Sequence, residues 1–414
     1  MRIVVLGSGV IGVTAAWFLA RDGHEVVVVD RKPGPAEETS FANAGLVSPG
    51  HAQSWASPKA PGMLLRSLFD RDAAVRLRLR VDPRMWAWGV RFLANCTVER
   101  ARANTRRKLA LCLYSLDALH QVIVETGVEY HRHTGGILYL HRSRQGLDEG
   151  AAGLRALADA GLEARVIDAA ECVRREPALA HMKDQIAGAV VCPKDESGDC
   201  NLFTRRLAEQ CARNGVEFRY STAIRRLVAE GGRIARVETD GGALTGDAYV
   251  LALGCDSPSL ARPLGIFLPI YPLKGYALTL PVRDGAPVSS GIDEERFLAW
   301  SRFGDRLRIT SVAELAGFDR RIDPDRVTRI AAAARALFPD GADWDQPNPW
   351  TGFRPMTPDG LPFIGRTRLA NLWLDTGHSS LGWTMSCGSA RLLADLVAGR
   401  NPALDPAVLG AMPG

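Results

Sequence analysis

The chain has 414 residues, 46% of them hydrophobic and 23% charged, and a formal net charge of +5, which is typical of a soluble globular protein with room for two domains. The basic residues are spread along the chain without a recognition motif, which argues against a dedicated nucleic-acid-binding protein. The eight cysteines form no CxxC pair and do not group with histidines at zinc-ligand spacing, so we expect reduced thiols, no bound metal and a cytoplasmic location.

The first predicted elements lie in the opening segment, "MRIVVLGSGVIGVTAAWFLA", which has no charged residue from Ile3 to Ala20. A secretory signal has a basic region before its apolar run, and a membrane helix needs roughly 20 predominantly apolar residues. Glycines interrupt this run, and a second apolar run, "HEVVVVD", follows it closely. The segment therefore predicts a strand, a tight turn, a helix and a second strand.

The glycines of this segment form the pattern G-x-G-x-x-G directly after the first strand. Gly7 allows the tight turn, Gly9 lets the backbone approach a pyrophosphate, and Gly12 lets the helix pack closely on the sheet. Asp30 ends the second strand, where an acidic residue bonds the ribose of an adenosine. The pattern predicts a dinucleotide site, with a purely structural glycine-rich turn as the alternative.

The segment after Asp30, "RKPGPAEETSFANAGLVSPGH", distinguishes between NAD and FAD. Its residues are too small to build a core, and such a loop is suited to lie along an extended cofactor. FAD is extended and stays bound, so the segment favours FAD.

Strand-like runs that end in glycine recur at "AYVLALG" and "NLWLDTG". A nucleotide-binding sheet drawn from both ends and the middle of the chain implies an inserted second domain. The inserted parts carry predicted helices at "WAWGVRFLANC", "RRKLALCLYSLDALHQVIVETG" and "DPDRVTRIAAAARALF", and predicted strands at "GGILYL", "YPLKGYALTL" and "RFLAWSRFGDRLRIT". We predict an α/β protein with a Rossmann-like FAD-binding domain and an inserted α+β substrate domain on a mixed or antiparallel sheet. The FAD-binding domain comprises residues 1–80, 165–264 and 346–414, and the substrate domain comprises residues 81–164 and 265–345.

Four blocks are more specific than the glycine pattern: "TSFANAGLVSPG", "YPLKGYALTLP", "WTGFRPMTPDGLPFIG" and "LWLDTGHSSLGWTMSCGS". In this order they resemble the bacterial D-amino-acid dehydrogenase small subunit, within the D-amino-acid oxidase and glycine/sarcosine oxidase group of flavoproteins. The resemblance covers essentially the whole chain. It implies that a D-amino acid is oxidised by hydride transfer from its α-carbon to flavin N5, giving a 2-oxo acid and ammonia. It also implies that the electrons pass to a quinone or another non-oxygen acceptor.

The proline- and glycine-rich segment "GFRPMTPDGLPFIG" carries Arg354. A rigid segment keeps the guanidinium aimed, which suits bidentate pairing with a carboxylate. The resemblance implies that Arg354 holds the substrate carboxylate, and that Tyr271 and Tyr276 share this carboxylate or line the side-chain pocket. The alternatives are a structural salt bridge for the arginine and sheet packing for the tyrosines. His51, beside the cofactor loop, completes the predicted catalytic group.

The block "NLWLDTGHSSLGWTMSCGSARLLADLVAG" predicts a buried strand, a loop of small polar residues and a long helix that begins near residues 382–384. In the resembling flavoproteins this loop runs under the flavin pyrimidine, which implies that backbone N–H groups and the helix dipole stabilise negative charge at N1 and C2=O. A structural strand–helix turn is the alternative. The residues predicted to bind the cofactor are Gly7, Gly9, Val10, Ile11, Gly12, Asp30, Arg31, Lys32, Ser40, Ala42, Asn43, Ala44, Gly45, Gly254, Gly377, His378, Ser380, Leu381, Gly382, Trp383 and Thr384.

No Ser/His/Asp, Cys/His or paired-carboxylate arrangement is evident, which is typical of an enzyme whose cofactor supplies the reactive centre. Two alternatives stay open. One is the oxidation of a secondary amino acid, such as a D-proline derivative or sarcosine, and the other is an electron-transfer flavin subunit without its own substrate. An NAD-dependent dehydrogenase would leave the downstream blocks unexplained.

A basic stretch between residues 64 and 96 mixes arginines with Trp86 and Trp88, which suits a membrane surface. The alternative is a solvated helix face packed on a core. Because the resembling family passes electrons to a membrane quinone, the resemblance favours peripheral contact with the inner face of the cell membrane. The arginines of the stretch are Arg66, Arg71, Arg76, Arg78, Arg80, Arg84 and Arg91.

Overall fold

The structure is a computed structural model that describes residues 1–70 and 74–406. The helices are α1 (Val10–Arg21), α2 (Ala60–Arg66), α3 (Pro83–Ala94), α4 (Val98–Thr126), α5 (Arg144–Arg155), α6 (Ala169–Arg175), α7 (Cys200–Arg213), α8 (Ser257–Ala261), α9 (Pro324–Leu337) and α10 (Gly382–Val397). The strands are β1 (Arg2–Leu6), β2 (Glu25–Val29), β3 (Leu46–Val47), β4 (Val75–Leu77), β5 (Ile137–His141), β6 (Arg165–Ile167), β7 (Gly188–Cys192), β8 (Glu196–Ser197), β9 (Glu217–Arg219), β10 (Ile224–Glu230), β11 (Arg233–Thr239), β12 (Gly242–Leu244), β13 (Ala248–Leu251), β14 (Tyr271–Pro281), β15 (Ser290–Asp293), β16 (Leu298–Phe303), β17 (Arg306–Leu315), β18 (Asn348–Met356), β19 (Phe363–Arg366) and β20 (Leu372–Thr376). Among these described helices, none combines the length and the apolar character that crossing a membrane requires.

The first large sheet joins strands from distant parts of the chain in the order β19-β20-β13-β1-β2-β9. Its strands run parallel except β19, which pairs antiparallel with β20. Ile3 of the central strand lies opposite Ala248 on one side and Val26 on the other. The three glycine-ended runs predicted to share a nucleotide-binding sheet therefore do lie side by side, and the predicted Rossmann-like α/β fold is confirmed.

The parallel sheet is covered on both faces, which explains why β1 is apolar at four successive positions. Ile3 and Val5 belong to the same hydrophobic cluster as Val13 of α1 and Leu392 of α10. Val4 and Leu6 point to the other face and pack against the three-stranded antiparallel sheet of β10, β11 and β12. The carboxyl ends of the parallel strands are left for a ligand, as in other open α/β sheets.

The second large sheet is mixed, with the order β18-β14-β17-β16-β15-β5-β7-β6, and β4 pairs parallel with β17. Antiparallel pairs predominate, and β15 and β5 form a parallel pair. The face of β14 that carries Tyr276 packs on α9 through Ile330 and Ala334. The predicted mixed sheet of an inserted α+β unit is confirmed.

The sheets follow the predicted domain boundaries except at three places. The strand β4 belongs to the mixed sheet, although residues 1–80 were predicted for the FAD-binding domain. The strands β6 and β7 belong to the mixed sheet, although residues from 165 onward were predicted for the FAD-binding domain. The strand β18 also belongs to the mixed sheet, although residues from 346 onward were predicted for the same domain. The division of the chain into domains itself stays a prediction.

The helix N-termini fall into two groups. Side chains cap α3, α4 and α7, where Asp82, Thr97 and Asp199 accept hydrogen bonds from first-turn amides. By contrast, α1 begins after Gly9 and α10 begins after Leu381, and neither of these residues caps its helix with a side chain. The first-turn amides of α10 are therefore available for partners outside the helix, whereas in α1 the Val10 amide donates to Ser40 Oγ at 3.0 Å.

Candidate active site

A cavity of about 620 Å³ runs from the turn after β1 to strands β14, β17 and β18 of the mixed sheet. The predicted residues that line it are Gly7, Gly9, Val10, Ile11, Asp30, Arg31, Lys32, Ser40, Ala42, Asn43, Ala44, Gly45, His51, Gly254, Tyr276, Arg354, Gly377, His378, Ser380, Leu381, Gly382 and Trp383. Three predicted residues, Gly12, Tyr271 and Thr384, are not part of this lining. The cavity thus gathers residues from both ends of the chain.

The glycine turn between β1 and α1 shows why each glycine is needed. Gly7 has a φ of +110°, and a Cβ on it would lie 2.7 Å from the carbonyl oxygen of Ala252. A Cβ on Gly12 would lie 1.9 Å from the carbonyl oxygen of Gly7, so helix and strand are in backbone contact there. A Cβ on Gly9 would meet only Ser40 Oγ, at 3.5 Å. Space is therefore free at Gly9, where the sequence predicts a pyrophosphate.

Asp30 lies at the end of β2 and lines the cavity. Its Oδ2 accepts hydrogen bonds from the Ser8 amide at 2.7 Å and the Ser8 hydroxyl at 2.9 Å, and its Oδ1 accepts one from the Lys32 amide at 2.9 Å. These bonds hold the carboxylate in place on the cavity wall, and its contact with a ribose hydroxyl stays a prediction. Nearby, Glu38 pairs with Arg31 at 3.2 Å and with Lys32 at 3.0 Å, so both cations have carboxylate partners.

The loop of residues 40–45 is fastened to the mixed sheet by its backbone. The Asn43 carbonyl accepts a hydrogen bond from Arg308 Nη1 at 3.0 Å, and the Ala44 carbonyl accepts one from Ser301 Oγ at 2.9 Å. Gly45 has a φ of +71°, and a Cβ there would lie 2.3 Å from the ring of Phe303. The loop therefore forms a fixed wall between the two large sheets.

The loop of residues 377–382 brings the N-terminus of α10 to the cavity, and α10 begins at Gly382 as predicted. Within the described chain, Ser380 Oγ and Trp383 Nε1 are buried without hydrogen-bond partners. His378 Nε2 lies 3.2 Å from Asp375 Oδ1. Thr384 instead accepts a hydrogen bond from the Ser48 amide at 3.1 Å, which ties α10 to the loop before His51. The first-turn amides of α10 beside a cavity fit the acceptor atoms of an isoalloxazine ring.

Arg354 lies at the far end of the cavity, on β18 opposite Leu273 of β14. Its Nη1 donates a hydrogen bond to the Val312 carbonyl at 3.1 Å, and no carboxylate of the described residues forms an ion pair with it. Val312 has a φ of +68°, which is a strained conformation for a β-branched residue and occurs in β17 beside a register shift. The strained backbone directs this carbonyl at the guanidinium and so helps to hold it in place.

The two predicted tyrosines lie on β14 but in different surroundings from those expected. Tyr276 contributes to the cavity lining. However, Arg354 covers the face of β14 that carries Gly275, and because side chains alternate along a strand, the Tyr276 side chain points to the opposite face. The ring of Tyr276 lies instead among the apolar residues that pack on α9. Tyr271 is buried, and its hydroxyl donates to Asp82 Oδ2 at 2.9 Å. A role of either tyrosine at the substrate carboxylate stays a prediction.

His51 ends a short 3-10 turn, Pro49–His51, and lines the cavity. Its ring is stacked on that of Tyr139, with centroids 6.0 Å apart and planes at 4°. Burial, and to a lesser extent the positive charges of Lys108 and Arg354, lower the pKa of His51 to about 4. The imidazole is therefore neutral at neutral pH.

Several lining residues were not identified from the sequence. They include Trp88 and Phe92 on the inner face of α3, in the stretch for which the sequence left a membrane surface and a helix packed on a core as alternatives. The periodicity of Met85, Trp88 and Phe92 is that of an amphipathic helix, and this signal could have placed them inside. Glu294 was missed because it is the middle of three consecutive acidic residues.

Comparison with known proteins gives a family and close relatives. The sequence model of the family described as FAD dependent oxidoreductase matches residues 2–396. A protein of Methylobacterium radiotolerans named D-amino acid dehydrogenase is 50% identical, with 99% of this chain and 99% of that protein covered. A protein of the same name from Paramagnetospirillum magneticum is 48% identical, with 99% and 98% covered.

Solved structures that share the fold include two glycine oxidases. The enzyme from Bacillus cereus superposes with a TM-score of 0.75 at 21% identity, covering 100% of this chain and 98% of that one. The enzyme from Geobacillus kaustophilus gives 0.74 at 23% identity, with 100% of both chains covered. A glycine turn, an acid-ended second strand and an open helix N-terminus line one cavity, and the family match extends over almost the whole length. This chain belongs to the FAD dependent oxidoreductase family.

Proposed function

We propose that this protein is a D-amino-acid dehydrogenase, which oxidises a D-amino acid to an imino acid that water converts to a 2-oxo acid and ammonia. Relatives that share 48% and 50% of its residues over nearly full length carry that name. The observation that carries the proposal is the guanidinium of Arg354, which faces the cavity without a carboxylate partner among the described residues.

Burial of a charged group without a partner is unfavourable, so an unpaired guanidinium in a cavity favours an anionic ligand. Burial lowers the pKa of Arg354 to about 10, which leaves it positively charged at neutral pH. The planar guanidinium can bind both oxygens of a carboxylate, and every α-amino acid has one. This side chain would therefore fix the substrate by the group next to the reacting carbon.

Bound FAD supplies the acceptor for the hydride that leaves the α-carbon. Gly9 leaves backbone room for its pyrophosphate, and Asp30 would accept a hydrogen bond from its ribose. The first-turn amides of α10 would face its pyrimidine edge. The remaining task of the chain is to clamp the substrate, orient its α-hydrogen and hold the amine in its neutral form.

An anaerobic titration with D-alanine and L-alanine tests this function. We expect the purified protein to be yellow and to lose its colour with D-alanine. Arg354→Ala should retain FAD, and its kcat/KM should fall about a hundredfold, the scale of an unpaired charged hydrogen bond. Arg354→Lys should lose most of the activity as well, because a point charge does not replace a planar guanidinium. Faster bleaching by L-alanine, or by sarcosine or another secondary amine, would contradict the proposed substrate class.

We also propose that a membrane quinone reoxidises the enzyme and that the outer face of α2, β4 and α3 contacts the membrane. Arg78 of this segment pairs with Glu314 at 2.5 Å, Trp88 points inward, and Arg71 lies outside the described residues. The opposite side of the same segment lines the cavity. An electron acceptor bound at the outer face would therefore be separated from the cavity by one helix diameter, about 10 Å. The exposed apolar residues of this face are Leu65, Leu68, Phe69, Leu79, Val81, Trp86, Val90 and Leu93.

Cosedimentation with vesicles tests the membrane contact. Binding should require anionic lipid, weaken with salt, and fall when Arg66, Arg80 and Arg84 are replaced by glutamine, since each basic residue contributes up to about 1 kcal/mol. Stopped-flow reoxidation tests the acceptor separately. Rapid reaction with oxygen and release of peroxide would identify an oxidase instead.

A further inference from the structure

Glu294 directly follows β15 and lines the substrate end of the cavity. Its two acidic neighbours are engaged elsewhere: Asp293 accepts from Arg142 Nε at 2.7 Å, and Glu295 accepts from the Ser143 amide at 2.9 Å. The carboxylate of Glu294 has no hydrogen bond within the described residues, and its Oε1 lies 3.7 Å from His51 Nε2. Glu294 and His51 are therefore a pair on the cavity wall.

The backbone and ring of His51 are held in position from behind. The Gly50 amide donates to Asp195 Oδ1 at 3.0 Å, and the Tyr139 hydroxyl donates to Asp195 Oδ2. Tyr139 in turn stacks on the imidazole. The His51 side chain lies deep in the protein, yet 35% of its surface is accessible, so this surface faces the cavity. Nε2 is the nitrogen nearer Glu294, and Nδ1 has no hydrogen bond within the described residues, so Nδ1 is the nitrogen left for a ligand.

Three charged residues act on the pair: Lys108, Arg354 and Asp293. Lys108 of α4 and Arg354 of β18 both act on His51, after burial, to keep the imidazole neutral. Burial, and to a lesser extent the charge of Asp293, raise the pKa of Glu294 to about 7. At the alkaline side of neutrality the resting pair is thus an anionic carboxylate beside a neutral imidazole. This arrangement complements the ammonium group of an amino acid whose carboxylate binds Arg354.

We propose that His51, oriented by Glu294, takes the proton from the substrate ammonium group. One N–H bond of the substrate breaks, its electron pair remains on the nitrogen as the lone pair of a neutral amine, and the proton bonds to His51 Nδ1. The carboxylate of Glu294 balances the charge of the resulting imidazolium, as the carboxylate does in other acid–histidine pairs. Only the neutral amine has the lone pair that forms the C=N bond when the hydride leaves. The inference rests on the proposed function and assigns the amine side of its site.

The dependence of kcat/KM on pH for D-alanine tests the role of the pair. We expect His51→Gln to reduce kcat/KM at neutral pH about a hundredfold, the scale of a lost general base. The variant should recover as the pH rises, because the substrate then loses its proton in solution. Glu294→Gln should show the same shape with a smaller loss. Glu295→Gln is the matched control, since it removes a neighbouring carboxylate that does not line the cavity, and its profile should match that of the unmodified protein.

Calorimetry with two unreactive ligands gives a readout independent of turnover. 2-Aminoisobutyrate has an ammonium group but no α-hydrogen, and isobutyrate has the same carbon skeleton without the amine. Both His51→Gln and Glu294→Gln should weaken binding of 2-aminoisobutyrate about tenfold, as expected for one lost charged hydrogen bond, and leave isobutyrate unchanged. Arg354→Lys should weaken both ligands.

Several outcomes separate the inference from the proposed function. If D-alanine is oxidised and the variants keep the unmodified pH profile, the inference is overturned while the function stands. If the variants lose both ligands equally, the pair acts on the fold or the carboxylate and not on the amine, which also overturns it. If no D-amino acid bleaches the unmodified protein, the proposed function itself fails. Circular dichroism of each variant establishes that it is folded, and Glu294→Gln alone decides the matter if His51→Gln does not fold.

Discussion

The two ends of the cavity are built in different ways. At the parallel sheet, the site consists of backbone: a glycine turn, a loop of small residues and the open N-termini of α1 and α10. At the mixed sheet, the site consists of separate side chains, with Arg354 from β18, His51 from a 3-10 turn and Glu294 from the end of β15. Backbone sites require local sequence patterns, whereas side-chain sites depend on strand register. The comparison predicts that glycine substitutions have distinct effects at the two ends.

The largest effect is expected for Gly12→Ala, which tests whether the glycine turn supports the fold as well as the cofactor. A Cβ there would lie 1.9 Å from the Gly7 carbonyl oxygen, and backbone atoms on both sides cannot move apart without separating α1 from β1. We expect a loss of at least about 3 kcal/mol of stability, measured by thermal unfolding and soluble yield. Gly89→Ala in α3 is the control, because its Cβ would meet no atom within 4 Å. Normal unfolding of the Gly12 variant would contradict the close packing.

Gly9→Val should separate cofactor binding from folding. Gly9 has a φ of −67°, which any residue adopts, and its Cβ would meet only Ser40 Oγ. The side chain would enter the space that the pyrophosphate requires, so FAD affinity should fall at least a hundredfold, or about 3 kcal/mol, while the apoprotein unfolds at an unchanged temperature. Flavin absorbance and fluorescence quenching measure the affinity. Retention of FAD would place the pyrophosphate elsewhere.

Gly275→Ala should affect the substrate end alone. A Cβ on Gly275 would lie 2.5 Å from Arg354 Nη1, and the end of a flexible side chain can move away at low cost. We expect an unchanged unfolding temperature and full FAD content, but a KM for D-alanine raised about tenfold because the guanidinium is displaced. Steady-state kinetics measures the change. An unchanged KM would show that the carboxylate does not depend on this position of Arg354.

The last prediction concerns Asp195, which supports His51 through hydrogen bonds from the Gly50 amide and the Tyr139 hydroxyl. Burial raises the pKa of Asp195 to about 7, above the value near 3.9 of an unfolded aspartate. A raised carboxyl pKa means that stability is fully present below about pH 4 and is lost as the pH rises to about 7. Asp195→Asn has no such charge, so its stability relative to that of the unmodified protein should increase as the pH rises from about 4 to about 7. Unfolding temperatures at both pH values measure this, and an equal difference in acid and base would contradict the assignment.

The sequence predicted the parallel sheet and its glycine turn because both follow from local patterns. The run Ile3–Leu6 is apolar on both faces, and Gly7 and Asp30 stand at the ends of its first two strands. The sequence predicted that the second sheet is mixed or antiparallel, but it did not predict which way the side chains on its strands point. β14 is buried at nearly every position, so its sequence has no polar–apolar alternation to show that Tyr276 faces α9.

The position of Glu294 on the cavity wall could not be predicted from the sequence either. Three consecutive acidic residues, Asp293, Glu294 and Glu295, are chemically alike in the sequence. Only their register relative to β5 determines that Asp293 pairs with Arg142, that Glu294 lines the cavity and that Glu295 bonds to Ser143. The strained Val312 also gives no local signal, since valine is a common strand residue. Features set by tertiary pairing of this kind are not encoded near the residues that carry them.

The order of strands in the parallel sheet also governs how the chain folds during its synthesis. The amide of Arg2 bonds to the carboxylate of Asp247, 245 residues later, and β1 pairs with β13 directly after that point. At roughly 5–20 residues per second, a ribosome needs tens of seconds to deliver that neighbour. Until then the central strand has an unpaired apolar edge, so the nascent chain depends on shielding of β1, and the sheet assembles late in translation.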